Sequence, residues 1–219
     1  MCPYSIHCAK PCNNYEKGKD LINILARIAN FTTNGTHGAF MLFSDPKNME
    51  IKNSILQLDS KRNLIEFSDL YDTKTYTKMV NKTIQGILDN KKACDIGSTK
   101  IIKALDDSLN KMFQNSKGMR EYVEQVAVLI TDGRDAGEDT NEVTEGHPEY
   151  LSYRQKYTEM AENFKQRKIK VVAIGVGEVN DEFLNILVQS PQHFIKADTF
   201  DILLNNLTDL IGAIICKGM

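Results

Sequence analysis

VLITDGRDAG, residues 128–137, is the stretch on which the reading of the fold turns. Val128 to Thr131 form a short apolar run of strand-favouring residues, and Asp132-Gly133 then reads as a sharp turn. A carboxylate at the end of a buried strand is costly unless the sheet opens to solvent there. Asp132 is therefore expected at an exposed strand end.

Working outward, the pattern alternates. Residues 15–29 carry Leu21, Ile22, Leu25, Ile28 and Ala29 at helical spacing. GAFMLFSD, residues 38–45, reads as a strand ending at Asp45-Pro46, and residues 49–58 and 64–67 are further strand candidates. Helices are expected over 76–88 and 98–113. After the 128–137 stretch, residues 134–149 are polar and acidic, with Glu138, Asp139, Glu142, Glu145 and Glu149, and read as a solvated loop. That loop is also the candidate border of a partner-binding face. Then come a helix over 150–167, the strand IKVVAIGVG at 169–177, a helix over 180–189, a strand over 193–196 and a closing helix over 199–216. Strands with near-continuous apolar interiors, alternating with helices, imply an α/β fold with a mostly parallel central sheet and helices on both faces. Such sheets bind ligands at the carboxyl ends of their strands, where Asp132 is placed.

The chain has 219 residues, 42% hydrophobic and 26% charged, which suits one α/β domain with a sizeable core. A net charge of −2 offers no basic excess to attract nucleic acid or an anionic membrane. No apolar stretch reaches the roughly 18–20 residues of a membrane span, and MCPYSIHCAKPCNNYEKGKD lacks the apolar core of a signal peptide. Residues 1–14 read as a cysteine-rich segment ahead of a domain over 15–219. The five cysteines are Cys2, Cys8, Cys12, Cys94 and Cys216. The first three lack the spacing of zinc sites. Cysteines framing a domain point instead to disulfides in a secreted protein, with the odd count leaving one thiol free or paired outside the chain. Four N-x-[ST] sequons, at Asn30, Asn34, Asn81 and Asn206, point the same way, although about two would arise by chance.

A second element of chemistry lies in IGSTKIIKAL, residues 96–105. Gly97 permits a turn, and Ser98 or Thr99 is suited to cap the helix that follows. Alone, Thr99 reads as that cap. Combined with Asp132, it offers a neutral hydroxyl and a carboxylate from two loops, a donor set that suits Mg²⁺ with several retained waters. So few carboxylates leave the ion under-neutralised, and an acidic group from a partner would complete it.

GST at 97–99 with KALDD after it, VLITDGRDAG, and the run from IKVVAIGVG to the final IIC together resemble the von Willebrand factor A domains. The resemblance covers about residues 15–216. It implies a Rossmann-like sheet with a metal-ion-dependent adhesion site on top, in which Thr99 matches the second loop and Asp132 the third. The first loop of the family reads D-x-S-x-S after an apolar strand, and this sequence has no such motif; neither Ser5 nor Ser44 sits in one, and Asp45 reads as a turn residue. Burying about four apolar side chains of the missing strand would be worth roughly 6–12 kcal/mol, comparable with the whole stability of a domain, about 5–15 kcal/mol. The expectation is a domain truncated at its N-terminus, with the motif upstream of Met1; loss of the metal site is the other explanation.

Other classes fit less well. No P-loop, no G-x-G-x-x-G opening a helix, no G-x-S-x-G elbow and no H-E-x-x-H occur. His7, His37, His147 and His193 stand in loops or at strand starts without a paired nucleophile. An intracellular scaffold of the same fold would hold Cys94 and Cys216 as buried thiols. The sequence therefore leads to a non-enzymatic, secreted, disulfide-bonded glycoprotein module of von Willebrand A type. It would bind a protein ligand in the extracellular matrix or at a cell surface through a Mg²⁺-bridged carboxylate.

Overall fold

The strand Ile169–Val176 (β2) is buried at seven of its eight positions, as its near-continuous run of β-branched and small residues requires. In the computed structural model, which describes residues 11–32, 34–41, 43, 69, 72–89, 99–137 and 141–205, it lies at the centre of a three-stranded parallel sheet. Gln125–Thr131 (β1) pairs along one edge, from Gln125 opposite Ile169 to Thr131 opposite Gly175. Phe194–Ala197 (β3) pairs along the other, from Phe194 opposite Ala173 to Ala197 opposite Val176. This register sets Asp132, Gly177 and Asp198 just beyond the carboxyl ends of three adjacent strands.

Helices cover both faces, because alternate residues of the strands serve two cores. Ile169, Val171 and Ala173 face one side with Leu129. There they meet Ile101–Asp107 (α3), Tyr150–Gln166 (α4) and Asp181–Leu187 (α5) through Ile101, Leu105, Tyr157, Phe164, Phe183 and Leu187. Val172, Ile174 and Val176 face the other side, against Leu21 of Pro11–Ala29 (α1) and Phe200 and Leu203 of the helical stretch 200–205. Thr73–Asp89 (α2) packs on α1 through Tyr76, Val80 and Ile84, with Phe31 edge-on to Tyr76 at 4.6 Å. Gly175 allows this closeness at one point: a Cβ there would lie 2.7 Å from Val179 Cγ2 and 3.2 Å from Leu184 Cδ1. Gly175 of the IGVG strand thus belongs to packing, whereas Gly177, at φ 73°, serves the left-handed turn that ends it.

Several boundaries differ from those read in the sequence. The helix expected over 98–113 begins at Ile101 and loosens into a π turn at Ser108–Met112. Arg167, just past α4, donates to Leu109 O at 2.7 Å and to Phe113 O, satisfying carbonyls that this turn leaves open. Arg167→Ala should lower the unfolding free energy by roughly 1–2 kcal/mol, with Arg167→Lys intermediate, as read from urea midpoints. Helix α5 starts at a cap, Asn180 Oδ1 accepting from Phe183 N at 3.1 Å, with Asp181 and Glu182 in the first turn. Of the strand expected over 38–45, residues 38–41 and 43 are described, and Phe40 is buried with Tyr76 and Val80. The strand candidates 49–58 and 64–67, most of the closing helix, His7, and Cys2, Cys8, Cys94 and Cys216 lie outside the described residues. Among the described residues no helix is long and apolar enough to cross a membrane.

Candidate functional site

The turn after β1 is shaped by Thr131, a buried hydroxyl that donates to Gly133 O at 3.2 Å. That bond folds the chain back at the strand end and leaves Asp132 exposed at the rim of the sheet. Thr99 comes to the same place from the loop before α3. A Cβ built on Gly133 would lie 2.8 Å from Thr99 Oγ1, so the hydroxyl rests directly against the residue that follows Asp132. The main chains are tied as well: Ala136 N donates to Thr99 O at 2.9 Å. The structure therefore brings the loop that carries Thr99 and the turn that carries Asp132 together at one strand end.

Thr99 is not the cap of α3. The cap position is Lys100, and its side chain makes no capping bond; Ser98, the other candidate, lies outside the described residues. The helix start is held instead by Asp135, whose Oδ1 accepts from Ile101 N at 3.1 Å and Oδ2 from Ile102 N at 3.0 Å. Tyr157 of α4 donates to the same Oδ2 at 3.2 Å. Asp135 is 1% exposed, which corrects the reading of 134–149 as a solvated loop: Ala136, Gly137 and Val143 are buried with it. Glu142 and Glu145 do reach solvent, and Glu138 and Asp139 lie outside the described residues.

Burial pushes the Asp135 carboxyl above its usual range, against the pull of the Ile102 and Ile101 amides, the Tyr157 hydroxyl and the Lys100 charge. A carboxyl raised in this way stabilises the fold most below the unfolded aspartate range, and that contribution is lost as pH rises through its folded value. Burial, and then Asp135, push the Tyr157 phenol well up, so the hydroxyl stays a donor.

Sequence reasoning missed Asp135 because it stands at the head of a charge run. No local signal marks it, because its partners Ile101, Ile102 and Tyr157 lie far from it along the chain. Around the rim, Arg134 pairs with Glu142 at 3.2 Å and Glu178 at 3.8 Å, joining the loops that follow β1 and β2. His147 Nδ1 accepts from Glu149 N at 3.1 Å within a turn, and His193 closes a short helical turn at Pro191–His193. Among the described residues no group of three His, Cys, Asp or Glu side chains is placed to hold a metal ion. Among the described residues, Asp132 and Thr99 could offer one carboxylate and one hydroxyl there, a hard oxygen pair that would suit Mg²⁺ or Mn²⁺ rather than a thiolate-seeking ion.

The family model of the von Willebrand factor type A domain matches residues 13–210. No curated protein matches the chain. Among solved structures, proximal thread matrix protein 1 from the mussel byssus superposes with a TM-score of 0.62 at 20% identity, over 91% of this chain and 40% of that one. A form of it with a zinc-occupied MIDAS motif gives 0.60 at 16% identity, over 91% and 43%. The manganese-loaded TRAP protein of Plasmodium vivax gives 0.51 at 16% identity, over 88% and 64%. The chain thus spans well under half the length of the mussel protein. With the family model covering residues 13–210 and the fold shared with the superposed structures, the chain belongs to the von Willebrand factor type A domain family.

Proposed function

We propose that this chain is a non-enzymatic, extracellular protein-interaction module that takes a divalent cation, Mg²⁺ in its working state, at Thr99 and Asp132. The observation that carries this reading is the seat of the Thr99 hydroxyl against Gly133, beside the exposed Asp132. A bound Mg²⁺ would supply an electrophilic contact for a carboxylate of a protein ligand in matrix or on a cell surface. The chain's own part is to hold two oxygen donors at a rigid strand end while leaving the remaining positions open. With one carboxylate in the set, affinity should be weak, on the order of 10⁻⁴–10⁻³ M by the dependence of hard-cation affinity on ligand charge. The zinc-occupied and manganese-loaded states of structurally similar proteins support a divalent ion in this fold. The exposed Asn30 and Asn34 support glycan attachment in a secreted chain, whereas Asn81 Oδ1 accepts from Asn23 Nδ2 at 2.9 Å between α1 and α2.

Mn²⁺, a paramagnetic stand-in for Mg²⁺, should broaden the amide resonances of Thr99 and Gly133 in the isotope-labelled chain. Asp132→Ala should abolish that broadening and leave the rest of the spectrum in place, because Asp132 is exposed and outside both cores. Acetate, the simplest partner carboxylate, should enhance Mn²⁺ uptake by the wild type alone. Equal broadening in wild type and Asp132→Ala would remove the metal from the reading.

A further inference from the structure

Resting on that reading, we propose that Asp135 is the positioning residue of the site: its buried carboxylate ties the Asp132 loop to the start of the helix that follows Thr99 and so sets the spacing of the two donors. Asp132 is exposed, yet three residues on Asp135 is 1% exposed and reaches across to another part of the chain. Its two oxygens accept one amide each, from Ile101 and Ile102. Thr99 lies two residues before the first of these amides, and Asp132 three residues before the carboxylate. Each donor is therefore anchored by a very short tether to the same group.

The surrounding bonds cross the same gap. Ala136 N donates to Thr99 O at 2.9 Å, and Lys100 Nζ donates to Ala136 O at 3.0 Å and Gly137 O at 2.7 Å. On the Asp132 side of that gap the loop is braced separately, Tyr153 of α4 donating to Ala136 O at 2.9 Å and Val143 N to Asp135 O at 2.8 Å. The side-chain and main-chain ties thus lock one loop to the other from below, leaving the rim open. Stability alone does not require this device, since a hydroxyl or amide just ahead of α3 could cap the helix start through one N–H without burying a carboxylate. What the long-range carboxylate adds is coupling between the two loops.

Asp135→Asn tests the proposal, because its amide group must present a donor to one of the two N–H groups and so breaks one bond. Two quantities are read on the isotope-labelled chain: the Mn²⁺ midpoint from broadening at Thr99 and Gly133, and amide hydrogen exchange. The Mn²⁺ midpoint should rise at least about tenfold, as for loss of a group that orients metal ligands. Exchange should quicken at Ile101 and Ile102, and also at Ala136, whose bond to Thr99 O does not involve the substituted side chain; β2 amides should keep their protection. A merely local capping role would leave Ala136 and the Mn²⁺ midpoint unchanged, and that result overturns the proposal. If the wild type shows no broadening at all, the metal reading fails by itself, and exchange at Ala136 alone decides whether Asp135 couples the loops. Should Asp135→Asn not fold, Tyr157→Phe takes one donor from the same Oδ2: quicker exchange at Ala136 with a midpoint raised at least about twofold supports the proposal, and wild-type values overturn it.

Discussion

Phe183→Ala should lower the unfolding free energy by about 3–5 kcal/mol, the usual range for emptying a fully buried aromatic site. Phe183 is 0% exposed and stacks on Tyr157 with ring centroids 4.8 Å apart, while Tyr150 lies 5.1 Å away on a tilted ring. It joins α5 to α4 at the point where both pack on β2, so its removal leaves a void bounded by three elements that cannot close without shifting one another. Since a domain of this kind has a net stability of about 5–15 kcal/mol, this single change should remove a large share of it. Urea unfolding followed by circular dichroism reads the effect. Ile202→Ala, at a position 46% exposed, should shift the midpoint little. Comparable midpoints for the two variants would mean that α5 does not close the core as described.

That prediction also shows why much of the fold could be read from residue order. The β2 run is apolar at almost every position because it is covered on both faces, and no solvent-facing strand would carry Val171, Val172, Ala173 and Ile174 in succession. Phe183, Leu184 and Leu187 follow a helical period behind a cap and two acidic residues, so α5 is written in local signals alone. The start of α3 is different. Its amides are satisfied by Asp135, 33 and 34 residues further along the chain, and nothing near Thr99 reports that partner. The acidity of residues 134–149 then misleads, since a buried, multiply bonded carboxylate and a solvated one are the same letter. Their difference lies in donors contributed by α3 and α4. Thr99 and Asp132 could be singled out as candidates because one precedes and the other ends a regular element whose place the pattern determines; Asp135, proposed to set their spacing, could not, because its contacts are tertiary.

The second large effect separates function from stability. Gly133→Ala should cost little in folding, under about 1 kcal/mol, yet weaken Mn²⁺ binding by at least about tenfold. Gly133 has no left-handed backbone requirement, so alanine suits its main chain. The added methyl, however, would stand 2.8 Å from Thr99 Oγ1, well inside van der Waals contact, and 3.7 Å from Thr99 Cβ, which is acceptable. Only the hydroxyl must move. A β-branched side chain has few ways to do so: it rotates to another staggered well and carries Oγ1 away from the strand end, or stays strained. Either way the second donor leaves its place while the main-chain bond from Ala136 N to Thr99 O, the Asp135 bonds and both cores persist. The measurements are a thermal melt, the Mn²⁺ midpoint and the Thr99 methyl resonance, which reports the rotation directly. A rotated Thr99 with undiminished Mn²⁺ binding would show that the hydroxyl is no part of the site, leaving Asp132 as its sole protein donor among the described residues. A large loss of stability would instead place Gly133 in the framework of the fold, and its closeness to Thr99 would then say nothing about a ligand.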